Sequence, residues 1–179
     1  MSKIVILVGS TRRNGNTDLL SQAFAKGAME NGHEVETISV ADHKVAPCKG
    51  CNVCFEKDGH ECIQRDDMAE IYYKLQSADI LVIASPVYFY GISAALKAII
   101  DRLHTPMRDD FRIKKLALLL VGAATLPELF DAIRMQYRLV LNFFNLEDAG
   151  MVLVRGVKEK GDIKNTTALD EAYRLGLSI

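Results

Sequence analysis

The sequence predicts an α/β fold in which a five-stranded parallel sheet of order 2-1-3-4-5 lies between two layers of helices. Three observations predict it. Short apolar, β-branched runs alternate with amphipathic stretches along the chain, which is the rhythm of strand–helix–strand units. Two of the runs, IVILV and ILVIA, are apolar throughout, as strands buried on both faces are. No repeat, low-complexity tract or linker interrupts the alternation, so residues 1–179 are expected to form a single domain.

In order, residues 3–8 form the first strand, and 17–31 a helix with an apolar stripe through Leu20, Ala23, Phe24 and Ala28 that closes at Asn31-Gly32. Residues 35–40 alternate like a strand near the sheet edge. A cysteine-rich loop over 42–66 follows. Asp67 and Glu70 then have the spacing of a capping box for a helix over 68–77. Residues 80–84 are the third strand, and the loop SPVYFYG leads to a helix over 93–104. Strands at 116–121 and 151–155 flank a long helix expected from Thr125 to about Phe144, and a helix over 167–175 ends the pattern. In this strand order the loops after strands 1 and 3 face each other across the crevice where α/β sheets bind ligands.

Composition excludes little. Hydrophobic residues are 49% and charged residues 25% of the chain, and the formal net charge is −1. That balance gives no electrostatic reason to expect nucleic acid or an anionic membrane as partner. No apolar run is long enough to span a bilayer, and the N-terminal run is too short for a secretory signal, so a cytoplasmic protein with reduced thiols is expected.

The first loop, Gly9-Ser10-Thr11-Arg12-Arg13-Asn14-Gly15-Asn16-Thr17, is rich in hydroxyls, amides and glycine and opens a helix. A helix N-terminus offers free N–H groups and a positive dipole end to a phosphate. Ser10 and Thr17 can donate O–H bonds, Asn16 its amide, and Arg12 charge. The dinucleotide pattern G-x-G-x-x-G is absent, and so is the lysine of a P-loop. A single terminal phosphate, such as that of FMN, suits the loop. The plainer alternative is a polar turn in which Asn16 or Thr17 caps the helix.

In the second loop, Ser85-Pro86-Val87-Tyr88-Phe89-Tyr90-Gly91, three consecutive aromatics cannot all point into the core. At least one is expected to face solvent or stack on a flat ring, against the alternative of aromatic packing at the sheet rim.

Together the segments GSTRRNGNT (9–17), PCKGCNVC (47–54), CIQRDDM (62–68) and SPVYFYGISAALKAIIDR (85–102) resemble the NADPH-dependent FMN reductase family of flavodoxin-like proteins. The cysteine-bearing part resembles the iron–sulfur flavoproteins of that family. The resemblance implies FMN held by its phosphate at Ser10, Arg12, Asn16 and Thr17. It implies ring contacts from Pro86, Val87, Tyr88, Phe89, Tyr90 and Gly91, and from Gly122 in the loop after strand 4. It also implies a homodimer or homotetramer.

An FMN-dependent NAD(P)H oxidoreductase serving a flavin, quinone or other small acceptor is the expected function. No catalytic side chain is expected, because the flavin carries the chemistry. An iron–sulfur electron carrier exchanging electrons with a ferredoxin-like partner is the alternative. A zinc-stabilised module with a vestigial flavin site is a third class.

The cysteines decide among these. Cys48, Cys51 and Cys54 follow the C-x2-C-x2-C pattern of cluster ligands, and Cys62 returns after seven further residues as a candidate fourth ligand. Zinc favours two separated pairs, and a disulfide is disfavoured in a reducing compartment. A [4Fe–4S] cluster on these four thiols is set against a cysteine loop that holds no metal. His60 is a possible substitute ligand, whereas His33, His43 and His104 read as surface or helix-end residues.

Overall fold

The computed structural model describes all 179 residues. Five parallel strands form the sheet in the order β2-β1-β3-β5-β6, the predicted arrangement, with a sixth, two-residue strand attached to β3. The strands are β1 (Lys3–Val8), β2 (Glu34–Ser39), β3 (Ile80–Tyr88), β4 (Gly91–Ile92), β5 (Lys115–Val121) and β6 (Glu147–Val154). The helices are α1 (Asn16–Glu30), α2 (Val53–Glu56), α3 (Met68–Gln76), α4 (Ala94–Arg102), α5 (Asp131–Phe144) and α6 (Ala168–Ser178).

Alternate residues of each strand feed two separate cores, because successive strand side chains point to opposite faces. Ile4, Ile6, Val8, Val82 and Leu119 pack with Leu20, Phe24 and Ala28 of α1 and Ala172 of α6. On the other face Val5, Leu7, Ile83 and Leu118 meet Ile71 and Leu75 of α3, Ile99 of α4 and Tyr137 of α5.

Parallel pairing puts the carboxyl ends of the central strands on one rim. Val8 stands opposite both Ser39 and Ala84, and Pro86 opposite Val121. The Gly9 N–H continues the ladder to the Ala84 carbonyl at 2.7 Å, and the Val40 N–H reaches the Val8 carbonyl at 3.0 Å. The three polar or cysteine-bearing loops therefore leave from neighbouring points.

Several local expectations change. β3 does not stop at Ala84. Its pairing with β5 continues through Pro86, and it then folds back as the hairpin Val87–Ile92. The capping box at Asp67 and Glu70 is not formed, because Asp67 accepts from the Lys44 N–H at 2.6 Å instead. Met68 N–H is met by Asp66 Oδ1 at 3.3 Å. A 3-10 turn, Pro127–Phe130, occupies the expected first turn of α5. Strand β6 begins at Glu147 rather than 151, its polar start hidden by Glu147, Asp148 and Gly150 and by a register shift between Leu116 and Leu118.

Helix α1 is set by a close approach to α6. A Cβ built on Gly27 would lie 2.0 Å from the Tyr173 carbonyl oxygen, and one on Gly176 2.1 Å from that of Phe24. Only glycine lets two helix backbones meet so closely. This contact fixes α1, and with it the helix N-terminus at the rim.

Alanine in a helix is ordinarily more stable than glycine by about 0.5–1 kcal/mol. The packing here reverses that sign: Gly176→Ala is expected to destabilise the protein by about 1–3 kcal/mol, the usual cost of overpacking. The midpoint of urea denaturation checks this. An unchanged or raised midpoint contradicts the backbone contact.

Candidate functional site

The first loop closes on itself before α1 begins. Gly15 N–H bonds to the Arg12 carbonyl at 3.1 Å, and the Arg12 N–H to Ser10 Oγ at 3.2 Å. Asn14 adopts positive φ, and its N–H is taken by Asp18 at 2.7 Å. Gly15 is the N-cap residue, and no side chain caps the helix. Neither Asn16 nor Thr17 acts as the cap that sequence alone allows. The first turn keeps N–H groups without intrahelical partners, as helix N-termini do. The Thr17 side chain, only 2% exposed, has no hydrogen-bonding partner for its hydroxyl among the side-chain bonds of the chain.

The two arginines of the loop are distinguishable. Arg13 is paired with Asp42, whereas Arg12 makes no ion pair and lines the cleft beside Ser10 and Thr17. Asn16 is used differently from the expectation. Its amide donates to the Glu159 carbonyl at 2.9 Å and accepts from the N–H groups of Gly161 at 3.0 Å and Ile163 at 3.3 Å. The side chain thus bridges α1 to a distant loop, which engages its oxygen and one amide N–H and leaves the second amide N–H and the backbone N–H for a ligand.

Across the cleft, β3 and β4 form a two-residue hairpin in which Val87 pairs with Ile92 and Tyr88 with Gly91. Its central residues, Phe89 and Tyr90, have φ of 49° and 63°. Such turns normally carry Asn-Gly or Gly-Gly, because bulky residues are strained at positive φ. Two aromatics held there cost stability of order 1–3 kcal/mol each, which is characteristic of binding sites. Phe89 is 98% exposed, and Tyr88 and Tyr90 about half. The hairpin is anchored from below: Ser85 Oγ accepts from the Ser93 N–H at 3.0 Å, and Ser93 Oγ caps α4 through the Leu96 N–H at 3.3 Å.

Ser10, Arg12, Asn16, Thr17, Pro86, Val87 and Tyr88 line one cleft of about 220 Å³. Phe89, Tyr90 and Gly91 form the tip of the hairpin beyond its wall. Gly122 is not on the wall either. Its bare Cα makes room for Leu129, since a Cβ there would meet Leu129 Cδ2 at 2.5 Å. Its backbone holds Val154 and Val157 by hydrogen bonds of 2.8 and 3.2 Å. The flanking Val121 and Ala123 line the cleft instead, with Gly15, Val157 and Lys158. Sequence patterns missed Lys158, a second cation at the cleft, because its loop reaches the site only through the bridge to Asn16.

The four cysteines are all free thiols. They line a single hollow of about 160 Å³ together with Gly50, Asp101 and His104. Gly50 turns the loop at φ 63°, and its N–H points to Cys48 Sγ at 3.4 Å. Burial pushes the Cys54 thiol up, and the neighbouring Cys62, Cys48 and Cys51 add to this. As they stand, no three of the cysteines, with or without a neighbouring His, Asp or Glu, form a single-ion site. His60 turns its Nδ1 to the Cys54 carbonyl at 3.0 Å and is not on the wall of the hollow. His104, expected only as a helix-end residue, does line it, stacked on Phe55 at 5.7 Å.

The sequence profile of the NADPH-dependent FMN reductases matches residues 2–157. The chain belongs to the NADPH-dependent FMN reductase family. An iron–sulfur flavoprotein of Methanocaldococcus jannaschii is 42% identical over 112 residues, 63% of this chain and 56% of that protein. The chain thus matches little more than half the length of such a relative. A Bacillus subtilis protein named as an NAD(P)H-dependent FMN-containing oxidoreductase is 27% identical, with 97% of this chain and 96% of that one covered. An NAD(P)H:quinone oxidoreductase from Methanothermobacter marburgensis shares the fold with a TM-score of 0.78 at 18% identity, covering 99% of this chain and 96% of that one. No helix is long and apolar enough to cross a membrane.

The bridge through Asn16 yields a prediction separate from any ligand. Asn16→Ala strands the N–H groups of Gly161 and Ile163 and is expected to cost about 1–3 kcal/mol of stability. Amide exchange near 159–163 should rise with it. Unchanged exchange there, with unchanged stability, contradicts the bridge.

Proposed function

We propose that this protein is an FMN-dependent NAD(P)H oxidoreductase that reduces a flavin, quinone or other small acceptor. The observation that carries the reading is the juxtaposition, in one cleft, of the open N-terminus of α1 and the aromatic hairpin 87–92. The fit to FMN rests on what the chain leaves free. The Thr17 hydroxyl and the first-turn N–H groups lack partners, and Arg12 and Lys158 supply positive charge beside them. That donor set suits a terminal phosphate.

Ser10, Arg12, Thr17 and the backbone of Asn16 would hold the phosphate. Pro86, Val87 and Tyr88 would wall the ring, with Phe89, Tyr90 and Gly91 at its outer edge. When bound, FMN accepts hydride from a nicotinamide and returns electrons to an acceptor, so the chain's part is binding, orientation and electrostatics. The strained turn holds aromatic faces in place before a planar ligand arrives, which reduces the ordering cost of binding. Gly122 acts as a spacer beneath the cleft, not as a ring contact.

A second reading is favoured by the hollow that all four thiols share. Cys48, Cys51, Cys54 and Cys62 would hold a [4Fe–4S] cluster and pass electrons to a ferredoxin-like partner. A [4Fe–4S] cluster takes one thiolate at each of its four irons, and four thiols line this one hollow. The names of the iron–sulfur relatives support the same reading. Free thiols suit the cytoplasm. Met135, Leu139 and Phe143 are each more than half exposed along one side of α5, and this apolar stripe supports a homodimer or homotetramer.

Purification without air, followed by heat release and chromatography of the chromophore, tests the first reading. FMN is expected. A colourless protein that also fails to bind added FMN, or one that carries only FAD, overturns it. Thr17→Val should weaken FMN binding by about 1–3 kcal/mol while leaving the fold intact, since the hydroxyl has no structural partner. Fluorescence titration checks this, and unchanged affinity would place the phosphate elsewhere. Iron and sulfide analysis of the same preparation separates the two readings.

A further inference from the structure

The long return from Cys54 to Cys62 poses a mechanical problem, since a cysteine so far along a loop must be brought back to the others. The two limbs of the loop are laced together from their base. The Lys44 N–H donates to Asp67 Oδ2 at 2.6 Å, and the Asp67 N–H donates to the Lys44 carbonyl at 3.3 Å. One step further out, the Ala46 N–H donates to Asp66 Oδ2 at 2.9 Å. At the outermost step, Gln64 Nε2 donates to the Pro47 carbonyl at 3.2 Å. Cys48 follows immediately on one limb, and Cys62 lies two residues beyond Gln64 on the other.

The middle step is tied to the rest of the fold by Arg102, at the end of α4. Its side chain is 3% exposed. Nη1 donates to Asp66 Oδ2 at 2.5 Å and to the Ala46 carbonyl at 3.2 Å, so one ion pair holds both backbone groups of Ala46. The Arg102 carbonyl is in turn held by the Tyr72 hydroxyl at 2.7 Å, which joins α3 to the same point. The Nε–H is buried without a partner in the chain.

We propose that Arg102 is a positioning residue for the four-thiol hollow: through Asp66 and Ala46 it clamps the two limbs of the cysteine loop so that Cys62 faces Cys48, Cys51 and Cys54, and it sets a buried positive charge beside Cys62. This inference rests on the reading of the hollow as a cluster site. The electrostatics agree with the geometry. Burial works against both charges, yet pairing holds the Asp66 carboxyl below the usual range and keeps the Arg102 guanidinium firmly charged. Cys62, Asp66 and Arg102 line one hollow, which puts the guanidinium near the last cysteine.

Two variants separate clamp and charge from a merely structural role. Arg102→Met removes a positive charge, and Asp66→Asn removes its negative partner. Hydrogen exchange of the metal-free protein tests the clamp whether or not a cluster forms. Amides at 44–46 should exchange about tenfold faster in Arg102→Met, and by less in Asp66→Asn, whose side chain can still accept from Ala46. FMN affinity, read by fluorescence, should stay within about twofold in both, because neither residue lines the flavin cleft.

After anaerobic reconstitution with iron and sulfide, iron content should fall in Arg102→Met. The midpoint potential of the centre should move down in Arg102→Met and up in Asp66→Asn. Loss of structure alone would move both the same way. Unchanged exchange at 44–46 in both folded variants overturns the clamp. Potentials moving together overturn the charge. Should Arg102→Met fail to fold, Asp66→Asn and Arg102→Lys carry the test, the lysine keeping the potential but losing the pair of hydrogen bonds to Asp66 and the Ala46 carbonyl. A wild-type protein that takes up no iron defeats the cluster reading, while the exchange arm still decides the clamp.

Discussion

Everything at the rim depends on the parallel pairing of β1 with both of its neighbours. Val8 stands opposite Ser39 on one side and Ala84 on the other, and the chain leaves each of these strands at nearly the same height. A slip of one residue in either ladder would turn the buried face of a strand outward, because strand side chains alternate. With a hydrophobic core on each face of the sheet, neither ladder can slip without exposing apolar side chains. The three loops that carry the chemistry are thus fixed relative to one another by apolar residues far from any ligand.

The cleft and the hollow are built by different means. The cleft has fixed walls, set by a helix that glycine contacts hold against α6 and by a hairpin tied through Ser85 and Ser93 to α4. Its polar groups are left without partners where a phosphate would supply them. The hollow has soft walls: the cysteine loop has one helical turn, α2, and exposed or half-buried thiols. It is held chiefly at its base, by carboxylates that accept from backbone N–H groups and by one buried guanidinium, with Gln64 bonded to the Pro47 carbonyl further out. A cleft with such fixed walls suits a flavin that must be oriented.

Apolar patterning made the sheet, its strand order and the helices legible, since period-two and helical stripes follow directly from burial. The first loop was legible as part of a cleft wall because it joins a buried strand to a helix at the rim of the sheet. Other features were hidden for physical reasons. Asn16 reads as a phosphate donor by type, yet its partners lie some 145 residues away in sequence, where no local pattern reaches. Lys158 was hidden by the same long-range bridge. Asp67 and Glu70 have capping spacing, but tertiary demand from Lys44 wins over the local cap. Gly122 was expected at the ring, whereas its lack of a side chain serves Leu129. The double positive φ at Phe89 and Tyr90 could not be read, because the sequence there lacks the glycine or asparagine that such turns favour.

The proposed arrangement of phosphate end and ring end across one cleft is tested most directly by hydrogen–deuterium exchange of the flavin-free protein with and without added FMN. Amides of the first loop and first turn of α1, residues 10–18, and of the hairpin 87–91 should slow together on addition of FMN, while the cysteine loop stays unchanged. Binding of FMN with no protection at 15–18, or with protection confined to the cysteine hollow, would contradict the arrangement.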